Sequence, residues 1–322
     1  MSTSPAAVPD HEQPARRIGS AAYRRITLAL FLAGLATFAL LYATQPLLPL
    51  LASDFGVSPG ESAWSVSLAT AGLGAALLLA GPLSEVGGRT RLMHASRLLL
   101  PASRRFHRKP ARLSQLIASS RGLICDPAMW CLFGIAGCTM GAFVGVFNAL
   151  GFRLESPPYA LGVGVAGLVY LSYALGSVSS AWAGRAATVV GHRTVEPLLV
   201  VAMIAGLLLT LSSPLPLVIC GVAVFTAGFF GAHGVASGWV ASRASLSTGT
   251  PGQASSLYLF FYYLGSSIAG SLAGIAWSRD GWPGVGALTG GLLVLALSCT
   301  LALRRIPSLL EPPGPDPGIV GY

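Results

Sequence analysis

The sequence predicts an all-α polytopic membrane protein with eight transmembrane helices, and three observations carry that prediction. Of 322 residues, 53% are hydrophobic and only 10% charged, with a mean hydropathy of +0.68, which is more apolar surface than one soluble core can hide. The apolar residues fall in runs that approach or exceed the roughly 20 residues a helix needs to cross a bilayer. The twenty Lys and Arg residues collect between those runs. The net charge of +9 therefore points to lipid headgroups and not to nucleic acid, because the basic residues flank apolar spans instead of interleaving with aromatics on a soluble face.

Taken in order, residues 1–25 are polar and end in Arg16, Arg17, Arg24 and Arg25, which reads as a cytoplasmic tail. The uncharged run 26–52 is far longer than the apolar core of a signal peptide, about 7 to 15 residues, so it is read as the first span. Asp54 and Glu61 mark a water-exposed loop, and 62–83 is the second span. A strongly basic loop occupies 97–127, with Arg104, Arg105, Arg108, Lys109, Arg112 and Arg121; a short surface helix is expected near 113–117. The remaining spans are 128–152, 162–184, 196–211, 215–242, 255–277 and 282–303. Residues 197–242 carry no formal charge and are divided at Ser212-Ser213-Pro214-Leu215-Pro216, a turn signal. Five prolines follow Arg305, so 306–322 is expected to be a disordered tail.

Eight spans with a cytoplasmic N-terminus assign a side to every loop. Eighteen of the twenty basic residues then fall on the cytoplasmic side, and only Arg153 and Arg279 fall outside. A missed or invented span would break that asymmetry.

The chain also repeats itself. Gly81, Glu85, Gly88 and Arg89, followed by Arg91, recur at matching offsets as Gly184, Thr188, Gly191 and His192, followed by Arg193. Glycines suit tight turns, and arginines suit a helix C-terminus beside a lipid surface. This turn resembles the signature of the major facilitator superfamily of secondary transporters, Gly-x-x-x-Asp-x-x-Gly-Arg after helix 2 with an echo after helix 8, with Glu85 in place of Asp. Tyr42-Ala-Thr-Gln45-Pro, Asn148-Ala-Leu-Gly-Phe-Arg153, His233-Gly-Val-Ala-Ser237-Gly-Trp and Leu257-Tyr-Leu-Phe-Phe-Tyr-Tyr resemble its YnfM-like bacterial inner-membrane subgroup. The resemblance implies a major-facilitator-type bundle in the inner (plasma) membrane, both termini cytoplasmic. It implies export of a small solute, of drug or sugar type, in exchange for protons. Gly81, Glu85, Gly88, Arg89, Arg91, Gly184, Arg185, Gly191 and Arg193 would form a conformational latch.

Among residues that could carry chemistry, His233 is the one imidazole well inside a span, where an ionisable group is costly and is by default a functional candidate. No Asp or Glu is expected in mid-span, since Glu85, Glu196 and Asp280 fall near interfaces. Gln45 and Asn148 are amides in the outer parts of their spans, and Tyr42, Tyr258, Tyr262 and Tyr263 offer hydroxyls and ring faces. The expected substrate-binding set is Tyr42, Gln45, Asn148, His233, Ser237 and Tyr262. His233 and Ser237 stand four apart on one helix face, but no third orienting residue and no Gly-x-Ser-x-Gly elbow accompanies them, so no enzyme is expected. The five cysteines show no metal-ligand spacing, and neither cofactor nor metal is expected.

In the resembled family six spans separate the two turns. Here Gly81 and Gly184 lie 103 residues apart, and only two predicted spans lie between them. The expected organisation is thus a tail (1–25), a truncated two-helix bundle (26–96), the basic loop (97–127), a six-helix bundle (128–305) and the tail (306–322), corresponding to helices 1, 2 and 7 to 12 of twelve. The rival expectation is a non-transporting, internally deleted remnant or membrane assembly subunit.

Overall fold

The computed structural model describes residue 28 and residues 40–87 and 121–309, with backbone alone for 79–87. The tail 1–25 and the latch residues Gly88, Arg89 and Arg91 lie outside the described residues, as do most of the first expected span and most of the basic loop. The chain divides into two compact units, 1–42 and 43–322. In the first, residues 40–42 are helical.

The second unit opens with a 3-10 turn, Gln45–Leu47, leading into α1 (Leu48–Phe55), which stops at Gly56 in the left-handed conformation, φ 62°. α2 is Pro59–Gly87. Its first turn is set by a reciprocal cap: the Ser58 amide donates to Glu61 Oε2 at 2.8 Å, and the Glu61 amide donates to Ser58 Oγ at 3.3 Å. These hydrogen bonds, from the Ser58 backbone first and its hydroxyl second, hold the Glu61 carboxyl below its ordinary range. Gly81 and Glu85 lie in the last turns of α2.

α3 (Pro127–Glu155) begins at Asp126, whose side chain accepts from the Ala128 amide, with Pro127 pre-set for the first turn. α4 (Val163–Val190) and α5 (His192–Thr210) meet at Gly191, φ 86°. α5 and α6 (Leu215–Ser247) are joined by the Ser212-Ser213-Pro214 turn that the sequence marks. α7 (Pro251–Leu303) is 53 residues long, about 80 Å at 1.5 Å per residue, against a hydrocarbon core of about 30 Å. It bends at Gly281, where φ 62° and ψ −147° leave the helical region, so it provides two arms, 251–280 and 282–303, as the two last expected spans require.

Among the described residues searched, five helices, α3 to α7, are long and apolar enough to cross a membrane, and none is a strand. α3 lies at the centre, packed mainly on α7. Its backbone comes so close to the first arm of α7 that a Cβ on Gly265 would overlap Gly137, and one on Gly141 would meet the Gly265 carbonyl at 3.0 Å. α2 packs on the same arm, with Gly60 against Gly274, and α5 packs on α6 through Gly206 and Gly221. Without a hydrophobic drive between helices in lipid, such small-residue contacts supply the van der Waals packing that holds the bundle.

Candidate functional site

Asn148 sits on α3 where the helix faces Gly270 of α7, and it is 2% exposed. An amide at that depth needs partners, and it has two: its Nδ2 donates to the Gly270 carbonyl at 3.4 Å, and its Oδ1 accepts from Gln45 Nε2 at 2.9 Å. Gln45, fully buried in its 3-10 turn, accepts in turn from the Tyr173 hydroxyl of α4 at 2.6 Å. The sequence pointed to both amides but not to their direct bond or to Tyr173. Residues 45 and 148 are 103 apart in the chain, and only the packing of the turn against α3 joins them.

Aromatic rings connect this cluster to His233. Tyr173 lies 5.4 Å from Phe143, Phe143 stacks on Phe229 at 4.0 Å, and Phe229 faces His233 at 6.2 Å. His233 on α6 shares a hydrogen bond with the Tyr258 hydroxyl, Nδ1 to oxygen 3.1 Å, and its ring is 4.7 Å from that of Tyr262. Of the expected binding residues, Gln45 and Asn148 therefore form one group, and His233 and Tyr262 another. Ser237 is turned back on its own helix, donating to the Gly234 carbonyl at 3.2 Å. Tyr42 ends the first unit.

The sequence places Glu196 near an interface, and in the structure it is the fifth residue of α5; sequence alone does not show that it is also fully buried, with a relative exposure of 0%. Neither carboxyl oxygen has a hydrogen-bond partner among the described residues.

The repeat's second copy is fully described. Gly184 has open space where a Cβ would stand, Arg185 is exposed, and Gly191 makes the turn. Arg193 donates to the carbonyls of Arg304 and Ile306 beyond α7. A further anchor at this end had no signal in the sequence: Arg243 of α6 pairs with Asp126, Nε to Oδ2 2.6 Å and NH2 to Oδ1 3.1 Å, with NH1 reaching the Pro307 carbonyl at 3.3 Å. At the other end, a cavity of about 670 Å³ is lined by Arg153, Tyr159, Trp277 and Trp282. Arg153 is committed there to the carbonyls of Thr210 and Ser212 and to the Tyr159 hydroxyl, with Trp282 4.5 Å from its guanidinium carbon, so it closes the end of α5.

An apolar helical bundle with amides, a histidine and a carboxyl in its interior defines a polytopic membrane protein that buries polar groups between its helices. No family model matches the chain. It is 34% identical to the inner membrane transport protein YnfM of Escherichia coli, in an alignment covering 89% of this chain and 92% of that protein. It is 29% identical to an uncharacterized MFS-type transporter, YybF, of Bacillus subtilis, covering 90% and 96%. An uncharacterized transporter of Buchnera aphidicola is 27% identical, covering 89% and 95%. The chain belongs to the major facilitator superfamily of membrane transporters, in its YnfM-like group.

Proposed function

We propose that this protein exports a small solute across the bacterial inner membrane in exchange for protons, using the interior polar groups as its site. The observation that carries this reading is the pair of buried groups linked by one aromatic column, Tyr173–Gln45–Asn148 at one end and His233–Tyr258 at the other. Polar groups at such depth are costly and mark pathways for solutes or ions. Gln45 and Asn148 would orient the solute, Tyr262 would offer it a ring face, and His233 would take up a proton. Tyr42 and Ser237 belong to the proposed set on the resemblance alone. The glycine and arginine turns, 81–91 and 184–193, would act as the latch between helix groups. Both termini and the basic loop are proposed to be cytoplasmic. An impermeant thiol reagent applied to intact cells should leave a Ser114→Cys variant unlabelled, and ready labelling would overturn that topology.

A second reading is favoured by one specific observation. The alignment with the first relative runs over 387 positions, while 89% of 322 residues is about 287, which leaves about 100 positions with no counterpart in this chain. At roughly 25 residues for a helix and its connection, that is four spans. It supports the reading that helices 3 to 6 are missing and that transport by a single chain is weak or absent. The test reconstitutes this chain beside a version with four family helices inserted between Ser96 and Arg97. Efflux of a fluorescent lipophilic cation and of a panel of labelled monosaccharides is followed under an imposed pH gradient. Comparable flux from both supports transport by the chain as it stands, whereas flux from the extended version only supports the deletion reading. Absence of flux from both, for every probe, would argue against export of these solute classes.

A further inference from the structure

Glu196 is a buried ionisable group that the proposed export mechanism does not use. It lies on the stripe of α5 that also carries Val200, Met203 and Leu207, all buried. Val200 packs against Cys138 of α3 and Ala296 of α7. The preceding residue, Val195, packs with Ala183 and Ala187 of α4 and with Ala232 and Val235 of α6. Glu196 is thus fully buried on a turn of α5 whose neighbouring residues pack on α3, α4, α6 and α7.

None of the basic groups of the helices packed around it is paired with this carboxyl. On α6, Arg243 is paired with Asp126 of α3, and His233 bonds to Tyr258. On α5, Arg193 reaches carbonyls beyond α7, and the His192 ring lies 5.5 Å from Trp239. Arg185 of α4 is exposed, and Arg304 of α7 donates to the Arg193 carbonyl at 3.3 Å. The Tyr258 hydroxyl of α7 is engaged with His233 and makes no hydrogen bond to the carboxyl. Among the described residues, no cationic nitrogen lies within 4.0 Å of Glu196. A carboxylate with neither water nor a counter-ion would cost tens of kcal/mol by simple solvation arguments, and such groups neutralise instead. At 0% exposure no water-sized space touches this one in the arrangement seen here.

We infer that Glu196 is a proton-binding site: it holds its proton while the helices stand as they do here, and releases it when α5 moves far enough for water to reach the carboxyl. The local sequence suits such a movement. Pro197 has no amide to offer the carbonyl four residues back, that of Arg193, and this carbonyl is held instead by Arg304. The Arg193 carbonyl is therefore tied to the end of α7 by a side chain, while the Gly191 carbonyl still accepts from the Thr194 and Val195 amides of the same turn. Proton binding at Glu196 favours the closed arrangement and ionisation favours an open one, which is the linkage a proton-driven exchange requires. This deepens the proposed proton exchange and rests on it.

The test uses the full chain in lipid nanodiscs and infrared difference spectroscopy at neutral pH. The wild type should show the carbonyl stretch of a neutral carboxylic acid, sensitive to D2O, and Glu196→Gln should lose it. Glu196→Asp, which keeps the acid on a shorter stem, should retain a shifted band and controls for misfolding of the amide variant. Absence of the band in the wild type, or its persistence unchanged in a folded Glu196→Gln, overturns the assignment. Proton uptake into proteoliposomes, read with a trapped pH dye, separates the two ideas. Wild-type uptake that survives Glu196→Gln overturns the coupling role of Glu196 and leaves proton exchange standing. No wild-type uptake overturns proton exchange, while the band still decides whether Glu196 holds a proton.

Discussion

α3 and α4 are consecutive spans of almost equal length, 29 and 28 residues, both apolar enough to cross a membrane, yet 78% of the apolar window of α3 is buried inside the protein and only 11% of that of α4. Composition does not separate them; the arrangement of small residues and anchors does. α3 carries Gly137, Gly141 and Gly145 on one face against α7, and it is pinned at one end by Asp126–Arg243 and at the other by Arg153 on the α5–α6 turn. Along α4, Gly164, Gly167 and Gly184 have open space where a methyl would stand, and only Gly176, against Phe230, is crowded. In lipid, where an exposed Leu costs nothing, burial is decided by how closely backbones can approach.

The most damaging way to test that contrast is to fill the α3–α7 contact. Gly265→Leu would drive a side chain into the Gly137 backbone, which cannot yield as a flexible side chain would. Overpacking ordinarily costs about 1 to 3 kcal/mol, and a backbone clash lies at or beyond the top of that range. The variant should lose its monodisperse peak in detergent chromatography. Gly184→Leu on α4 enters open space and should leave the peak in place, with an effect within about 0.5 kcal/mol. Equal behaviour of the two variants would break the comparison.

A smaller effect should follow from releasing the anchor of α3. Asp126 and Arg243 are 15% and 9% exposed, so Asp126→Ala removes a helix cap and also leaves a guanidinium buried without its carboxylate. Breaking such a pair costs about 3 kcal/mol. Thermal unfolding in detergent should show a clear loss, largely recovered when Arg243→Met is added. If the double variant is no better than Asp126→Ala, the cost belongs to the cap and not to the stranded charge.

Class and span pattern are legible without any packing. Apolar run length follows directly from bilayer thickness, and the turns at Gly191 and at Ser212-Ser213-Pro214 are marked by local residue chemistry. The resemblance to the major facilitator superfamily rests on contiguous motifs. His233, Gln45 and Asn148 stand out because a polar residue inside an apolar run is conspicuous. Which of these residues meet is a different matter, and the three-dimensional arrangement alone answers it. Tyr173 joins Gln45 across 128 residues, Asp126 joins Arg243 across 117, and no local pattern encodes either. Glu196 shows the reason most directly. Its position in the chain, one turn from the start of a helix, reads as interfacial, because sequence reports depth along one helix and says nothing about the neighbours beside it. Burial of a carboxyl depends on what α3, α4, α6 and α7 place around that turn, and that is settled by packing in three dimensions.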